Sequence, residues 1–146
     1  MDIVIIGDGK VGHKLAMQLS GENYNVTLID QCEKKLSDTV NEMDVSCVAG
    51  DGGSAEVQRK ADVPGADLVI ACTSTDEMNL FCCLLARRLG AKQTIARVRN
   101  PVYAEQMHLL KEDLKLSMAV NPELALAGEI SRVLIFPSAA KIETFV

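Results

Sequence analysis

Near its beginning the chain reads Ile3-Val4-Ile5-Ile6-Gly7-Asp8-Gly9-Lys10-Val11-Gly12. An apolar run ends in three glycines with the spacing G-x-G-x-x-G, and an amphipathic run follows, so the pattern predicts a strand, a tight turn and a helix. Gly7 allows the sharp turn off the strand. Gly9 lacks a Cβ atom, so a pyrophosphate can approach the backbone, and Gly12 lets the helix pack closely on the strand. The free N–H groups at the start of this helix then face an anion.

An acidic residue further along supports a ligand-binding interpretation of the glycines. Asp30 directly follows the next strand-like run, residues 26–29. At that position a carboxylate accepts hydrogen bonds from the ribose diol of adenosine. A glycine turn needed only for packing would explain Gly7 and Gly12, but it would leave Gly9 and Asp30 as coincidence. The combination therefore predicts a site for a dinucleotide or another adenine nucleotide.

The residues around Asp30 and within the glycine loop bear on which nucleotide is bound. Asp30 is followed by Gln31, Cys32 and Glu33, with no arginine. A carboxylate without a neighbouring arginine favours a free ribose 2′-hydroxyl, so NAD is preferred over NADP. ATP and ADP carry the same diol and stay open as ligands. Lys10 points a cation toward the phosphates, or is simply a solvated lysine at the start of a helix.

Composition narrows the class of protein. The chain has 146 residues, enough for one domain with a core, and its formal charge of −5 argues against a nucleic-acid partner. No apolar run approaches the roughly 20 residues that span a bilayer. Met1-Asp2 leads directly into the first strand, so no signal peptide is expected. The five cysteines lack C-x-x-C spacing, so we expect them to be small buried residues in a reducing compartment. His13 and His108 have no Cys or His partner at metal-ligand spacing, so we interpret them as surface or helix-packing residues.

The order of apolar and polar segments predicts the fold. Strand-like runs cover residues 2–6, 25–29, 45–49, 67–72, 93–98 and 116–120. Helix-like runs cover residues 10–20, 33–43, 54–61, 76–89, 102–112 and 122–135. Strict alternation predicts an α/β fold, a Rossmann-like doubly wound parallel six-stranded sheet with helices on both faces and strand order 3-2-1-4-5-6. The ligand is then expected at the carboxyl ends of the strands, between strands one and four.

Further candidate residues follow the later strands at this edge. Arg97 and Arg99 lie at the end of strand five, so one of them is expected to face the cleft and bind phosphate. Alternation along a strand points both side chains to the same face of the sheet. The alternative is an ion pair with Asp76 or Glu77. Thr73 and Ser74 are placed to hydrogen-bond ribose or phosphate, although helix capping would explain at least one of them.

The end of the chain departs from the alternating pattern. The helix-like run 122–135 is apolar around most of its circumference, so its surplus face is expected to meet another chain or a further domain; burial within this domain is the alternative. In residues 141–146 apolar and polar side chains alternate, as in the first strand of a further structural unit. We expect residues 1–136 to form the nucleotide-binding domain, and residues 137–146 to be a linker and the start of a truncated C-terminal domain.

The sequence contains no recognisable catalytic set. Strand ends carry no Ser/His/acid or Cys/His pairing, and there is no Tyr-x-x-x-Lys, whereas hydride transfer needs an acid or base in a substrate pocket. The pattern favours a protein that binds without turnover and is not an enzyme. Two alternatives stay open: the cofactor-binding domain of an NAD-dependent oxidoreductase separated from its catalytic domain, and a dimerisation scaffold with a vestigial cleft.

Several motifs together resemble a known family. They are G-D-G-K-V-G at 7–12, Asp30, G-D-G at 50–52, T-S-T-D-E-M-N at 73–79 and A-R-V-R-N-P at 96–101. In this order they resemble the N-terminal nucleotide-binding domain of TrkA-type proteins, the regulators of conductance of potassium (RCK or KTN domains). The resemblance covers about residues 1–136.

The resemblance implies a cytoplasmic regulatory subunit, peripheral to the inner face of the cell membrane, in a potassium uptake system. Such proteins bind NAD(H) or ATP/ADP and form dimers and rings on a membrane potassium translocator, whose gate responds to ligand-dependent changes in dimer geometry.

By resemblance the cofactor-binding residues are Gly7, Asp8, Gly9, Lys10, Val11 and Gly12 at the pyrophosphate, Asp30 at the ribose, Asp51 and Gly52 near the adenine, Thr73 and Ser74 along the cleft, and Arg97 at the distal phosphate or nicotinamide. Lys10 stands where ATP-selective relatives have arginine, which favours NAD or NADH.

Overall fold

Strands and helices alternate along the chain in the structure, a computed structural model that describes residues 1–114 and 118–120. The strands are β1 (Asp2–Ile6), β2 (Asn25–Asp30), β3 (Ser46–Ala49), β4 (Leu68–Ala71), β5 (Thr94–Arg97) and β6 (Met118–Val120). The helices are α1 (Lys10–Gly21), α2 (Glu33–Glu42), α3 (Ala55–Lys60), α4 (Asp76–Leu89) and α5 (Pro101–Leu114), with a 3₁₀ turn at Val63–Gly65. The strands pair in parallel in the order β3-β2-β1-β4-β5-β6, so the predicted doubly wound sheet is confirmed.

The central strands are buried because helices cover both faces of the sheet. Successive side chains of β1 point to opposite faces, as the pleat of a strand requires. The cluster on one face includes Ile3, Ile5, Leu15, Leu19 and Leu36, from β1, α1 and α2. The cluster on the other face includes Val4, Ile6, Cys83, Ala86 and Met107, from β1, α4 and α5. Each isoleucine buried in this way stabilises the fold by about 1.5–3 kcal/mol.

β1 and α4 have the predicted bounds, whereas the other elements differ from the predicted ones by one or two residues at one or both ends. Strand five was expected over residues 93–98, but its ladder covers only Thr94–Arg97. Val98 is nevertheless buried, because the hydrophobic pattern reports burial and not backbone pairing. Helix five begins at Pro101, one residue earlier than expected, since proline fits the first helical turn. The predicted helix 122–135, the tail 141–146 and the boundary at residue 136 lie outside the described residues.

The cysteines follow the expectation of buried, unpaired thiols only in part. All five are free, and Cys72, Cys82 and Cys83 are buried. Burial raises the pKa of Cys72 and that of Cys82 to about 12 each. Cys32 is exposed, against the expectation, because it lies at the start of α2 beyond the end of the buried strand.

The turn between β1 and α1 brings the two elements into direct contact. Gly7 has φ +110°, a conformation that favours glycine, and a Cβ atom there would lie 2.7 Å from the Cys72 carbonyl oxygen. A Cβ atom at Gly12 would overlap the Gly7 carbonyl oxygen. Gly7 is therefore required by the turn and by its close approach to the end of β4, and Gly12 by the packing of α1 on β1, as the sequence predicts.

We expect Gly12→Ala to lower the free energy of unfolding by about 3 kcal/mol, because the methyl group can be accommodated only if α1 moves off β1. Urea unfolding followed by far-UV circular dichroism measures the change. Gly21→Ala is the matched control, since a Cβ atom at Gly21 meets nothing within 4 Å. Equal unfolding midpoints for the two variants would contradict the packing role of Gly12.

Candidate functional site

A cleft of about 560 Å³ opens at the carboxyl ends of the central strands, where the topology predicts a ligand. Its volume lies within the range usual for cofactor pockets. Eight of the twelve predicted site residues line it: Gly7, Gly9, Asp30, Asp51, Gly52, Thr73, Ser74 and Arg97. The cleft is also lined by residues to which the sequence assigned no ligand contact, among them Gln31, Lys35, Gly50, Thr75 and Met78. The remaining four predicted residues, Asp8, Lys10, Val11 and Gly12, do not line this cleft.

Gly9 differs from the other two glycines of its loop. Its backbone is in an extended conformation that any residue can adopt, with φ −86° and ψ −166°. A Cβ atom at Gly9 would meet nothing within 4 Å. Neither backbone strain nor packing therefore requires glycine at this position. The absence of a side chain instead leaves open space beside the first turn of α1.

Asp30 presents an oriented carboxylate to the cleft. The Asp8 peptide N–H donates to Asp30 Oδ2 at 2.7 Å, and the Cys32 peptide N–H donates to Asp30 Oδ1 at 2.8 Å. Each oxygen keeps a further lone pair for a ligand hydroxyl. Lys35, on the first turns of α2, lines the same cleft and adds a cation near Asp30.

The Asp8 side chain points away from the cleft into a network between α1 and α2. Thr39 Oγ1 donates to Asp8 Oδ2 at 2.6 Å, and His13 Nδ1 lies 2.9 Å from Asp8 Oδ1. His13 Nε2 lies 3.0 Å from Glu42 Oε2. These hydrogen bonds raise the pKa of His13, the one from Asp8 having the largest effect, although partial burial opposes it. His13 thus links two helices through carboxylates, which its isolated position in the sequence did not reveal.

Beside this network lies a second depression, which we call the α1–α2 groove. It is lined by Asp8, Gly9, Lys10, His13, Lys14, Met17, Lys35, Asp38, Thr39 and Glu42. Lys10 is exposed and belongs to this groove, while Val11 and Gly12 line neither depression. A role of Lys10 toward phosphates stays a prediction.

A buried asparagine holds the opposite wall of the cleft. Asn79, fully buried on α4, accepts hydrogen bonds at Oδ1 from the Thr73 peptide N–H at 2.7 Å and from Thr73 Oγ1 at 2.6 Å. Its Nδ2 donates to the Arg97 carbonyl oxygen at 3.0 Å. Asn79 therefore ties the end of β4 to the end of β5. The sequence signal was an amide on the apolar face of α4, and it was not assigned a role.

Arg97, and not Arg99, faces the cleft. Arg97 Nη1 donates to the Thr73 carbonyl oxygen at 3.4 Å, and its buried Nε has no partner among the described residues. Arg99 lies on a separate depression with Asp76 and Glu77. Asp76 accepts hydrogen bonds from the backbone of residues 99 and 100, so within the described ranges its contact is with the peptide N–H groups and not with an arginine side chain. Arg97 can therefore donate to an anionic ligand.

Over residues 1–114 and 118–120 no group of three or more His, Cys, Asp or Glu side chains is arranged to hold a metal ion. Over the same ranges, no helix combines the length and apolar character needed to span a lipid bilayer.

Comparison with known families gives a direct match. The family model described as the TrkA-N domain matches residues 3–122, most of the chain and every loop of the cleft. The chain belongs to the TrkA-N domain family. A relative from Archaeoglobus fulgidus, named Trk system potassium uptake protein TrkA homolog, is 37% identical over 145 residues, which are 99% of this chain. The chain spans only 33% of that relative's length.

Solved structures of similar fold include another TrkA-N domain. The TrkA-N domain of the inner membrane protein ybaL from Escherichia coli aligns with a TM-score of 0.73 and 17% identity, covering 93% of this chain and 95% of that one. The GsuK channel bound to NAD aligns with a TM-score of 0.67 and 23% identity, covering 81% of this chain and 21% of that one. At these identities the likeness concerns the fold.

We expect Asn79→Leu to lower the free energy of unfolding by about 2 kcal/mol, because Thr73 loses the acceptor of its peptide N–H and hydroxyl. Urea unfolding measures the loss. Asn41→Leu on the exposed side of α2 is the matched control and is expected to lie within about 0.5 kcal/mol of the unchanged chain. A loss no larger than that of the control would show that the Asn79 contacts contribute nothing.

We expect the chain to lose stability as the pH rises from about 6 to about 8, because the pKa of His13 is raised in the folded state. The stabilisation is complete below the ordinary value of 6.5 and disappears as the pH rises through the folded-state pKa. Thermal unfolding across this range tests it. In His13→Asn the slope should be absent; a slope unchanged from that of the parent chain would assign the dependence to another group.

Proposed function

We propose that this chain is the nucleotide-binding regulatory domain of a potassium uptake system, and that its ligand is NAD or NADH, with ATP or ADP as the alternative. The name of the Archaeoglobus fulgidus relative supports the system, and the NAD-bound GsuK channel, which shares the fold, supports the ligand. Because the chain corresponds to one third of that relative, the regulatory activity is a proposal about the whole protein to which such a domain belongs.

The observation that carries the proposal is the open space at Gly9. Packing and backbone conformation account for Gly7 and Gly12, but neither accounts for Gly9. A ligand that approaches the backbone at the start of α1 does account for it, since a pyrophosphate needs that space and the N–H groups there attract an anion. Asp30 lies in the same cleft with its carboxylate held for a ribose diol.

The proposed contacts follow from the position of each residue. The backbone of the glycine loop, together with Lys10, would bind the pyrophosphate, Asp30 the adenosine ribose, and Arg97 the distal phosphate or the nicotinamide side. The proposed cofactor-binding set is Gly7, Asp8, Gly9, Lys10, Val11, Gly12, Asp30, Asp51, Gly52, Thr73, Ser74 and Arg97. The Asp8 carboxylate is held by Thr39 and His13 and its peptide N–H by Asp30, so Asp8 would contribute by fixing the shape of the glycine loop and the position of Asp30.

Binding without turnover fits the chemistry of the groups in the cleft. Burial holds the Cys72 thiol protonated, with its pKa raised to about 12, so it is a poor nucleophile. His13 is engaged by Asp8 and Glu42 outside the cleft. Among the described residues, the ionisable groups that line the cleft besides cysteine are Asp30, Lys35, Asp51 and Arg97. We therefore propose a sensor and not an enzyme.

The regulatory step would be a shift between two arrangements of the assembled protein. A ligand can shift such an equilibrium only by the difference between its affinities for the two states. We propose that residues 1–136 form the ligand-binding domain and that residues 137–146 lead into a C-terminal domain. A homodimer or ring of such subunits would sit on the cytoplasmic face of the membrane, against a potassium translocator.

We expect titration calorimetry to detect binding of NAD, NADH, ATP or ADP, tested in turn. Gly9→Val should abolish binding while changing the free energy of unfolding by no more than about 1 kcal/mol, because its side chain occupies ligand space and not protein space. Asp30→Ala should weaken binding about 10- to 100-fold by removing charged hydrogen-bond acceptors.

Gly21→Ala serves as the control for glycine replacement away from the cleft, and its affinity should match that of the parent chain. Absence of binding for all four nucleotides would refute the regulatory proposal. Unchanged affinity in Gly9→Val would refute the placement of the phosphates at the glycine loop.

A further inference from the structure

A cluster of polar side chains lies beside the nucleotide cleft without lining it. It consists of Asp8, His13, Thr39 and Glu42, and we call it the Asp8 clamp. Asp8 is only 4% exposed and Thr39 only 1%. Burial of a carboxylate is costly unless the charge is paired and hydrogen-bonded. The buried Asp8 carboxylate therefore depends on its contacts with Thr39 and His13.

The position of Asp30 depends on two different elements. One of its oxygens accepts a hydrogen bond from the peptide of Asp8 in the glycine loop, and the other accepts one from the peptide of Cys32 at the start of α2. A change in the separation of this loop and α2 would lengthen one of these bonds. The orientation of the Asp30 carboxylate is thus set by how the loop sits relative to α2.

The Asp8 clamp joins these two elements. Thr39 and Glu42 lie on α2, Asp8 lies in the loop, and His13 bridges them from α1. Thr39 Oγ1 also lies 3.2 Å from His13 Nδ1, so the three side chains share one compact set of hydrogen bonds. Asp8 takes part in two sets of contacts. Its carboxylate is held by Thr39 and His13, and its peptide N–H donates to Asp30 Oδ2.

We propose that Thr39 and His13 are positioning residues for nucleotide binding, holding the glycine loop and α2 at the separation at which Asp30 meets the ribose. This inference rests on the proposed function. Neither residue lines the cleft, so both act through Asp8 and Asp30.

The geometry of His13 makes this positioning sensitive to pH. Both ring nitrogens lie within 3.0 Å of a carboxylate oxygen, and only the doubly protonated ring donates at both. The titratable groups around His13 are Asp8 and Glu42 of the cluster, Lys10 and Lys14 of α1, Lys35 and Asp38 of α2 and Cys47 of β3. Burial raises the pKa of Cys47, so its thiol stays neutral between about pH 6 and about pH 8.

The first test compares Thr39→Val with Thr39→Ser by titration calorimetry with NADH at about pH 6.5, below the unfolding temperature of each variant. Valine matches the shape of threonine but cannot donate to Asp8, so we expect the dissociation constant to rise about tenfold. Serine keeps the hydroxyl and should stay within about twofold of the parent chain. Equal affinities for the valine variant and the parent chain, or equal losses in the two variants, would overturn the inference.

The second test follows NADH affinity from about pH 6 to about pH 8, where the pyrophosphate of NADH keeps its charge. The affinity of the parent chain should fall as the pH rises and His13 loses its proton. In His13→Asn the affinity should be weaker at low pH and nearly independent of pH. A profile for His13→Asn that parallels the parent profile would overturn the role of His13.

A third measurement separates failure of this inference from failure of the proposed function. Hydrogen exchange of the Asp8 amide, followed by NMR without any nucleotide, reports whether its bond to Asp30 holds. Exchange should be faster in Thr39→Val than in Thr39→Ser. If the parent chain binds none of NAD, NADH, ATP and ADP while the exchange rates differ as expected, the nucleotide proposal fails and the clamp stands. Equal exchange rates in the two variants would overturn the clamp itself.

Discussion

The close approach of α1 to β1 is the constraint on which the arrangement of the cleft depends. Gly12 lies against the Gly7 carbonyl oxygen with no room for a methyl group. This contact brings the first turn of α1, with its unpaired N–H groups, to the carboxyl edge of the sheet. Because β1 lies between β2 and β4, the same edge collects Asp30 on one side and Thr73 on the other. The glycine contact and the strand order together bring the parts of the candidate site to one edge of the sheet.

Polar side chains inside the molecule hold the loops that this contact brings together. Asp8 ties the glycine loop to α2, and Asn79 ties the ends of β4 and β5. Loops at strand ends lack the ladder hydrogen bonds that hold the strands, so their peptide groups must find other partners. These hydrogen bonds fix the loop positions at which Asp30 and Thr73 face the cleft.

Much of this could be predicted because the signals are local. Glycine spacing, apolar runs and capping residues depend on neighbours a few positions away, so the order of elements, the strand order and the cleft residues Gly7, Gly9, Asp30, Thr73 and Ser74 followed from the sequence. Asp51 and Gly52 came from the family resemblance, and Arg97 was one of two arginines that the sequence left open. The end of strand five was predicted too late, because Val98 is buried but lies outside the strand ladder. Hydrogen-bond partners that are distant in sequence were also missed. His13 and Glu42 are 29 residues apart, and Asn79 and Arg97 are 18 apart. Nothing local marks such pairs.

The sequence by itself determined the class of fold, the edge of the sheet at which the cleft opens and the acidic residue, Asp30, that faces it, because periodicity and glycine spacing restrict the backbone directly. Only the tertiary structure decided which side chains turn into the cleft. Asp8 turns toward α2, Lys10 lies in the α1–α2 groove, Lys35 joins Asp30, and Arg97 rather than Arg99 enters the cleft. Side-chain direction depends on contacts between elements far apart in the chain, and those contacts exist only once the sheet has formed.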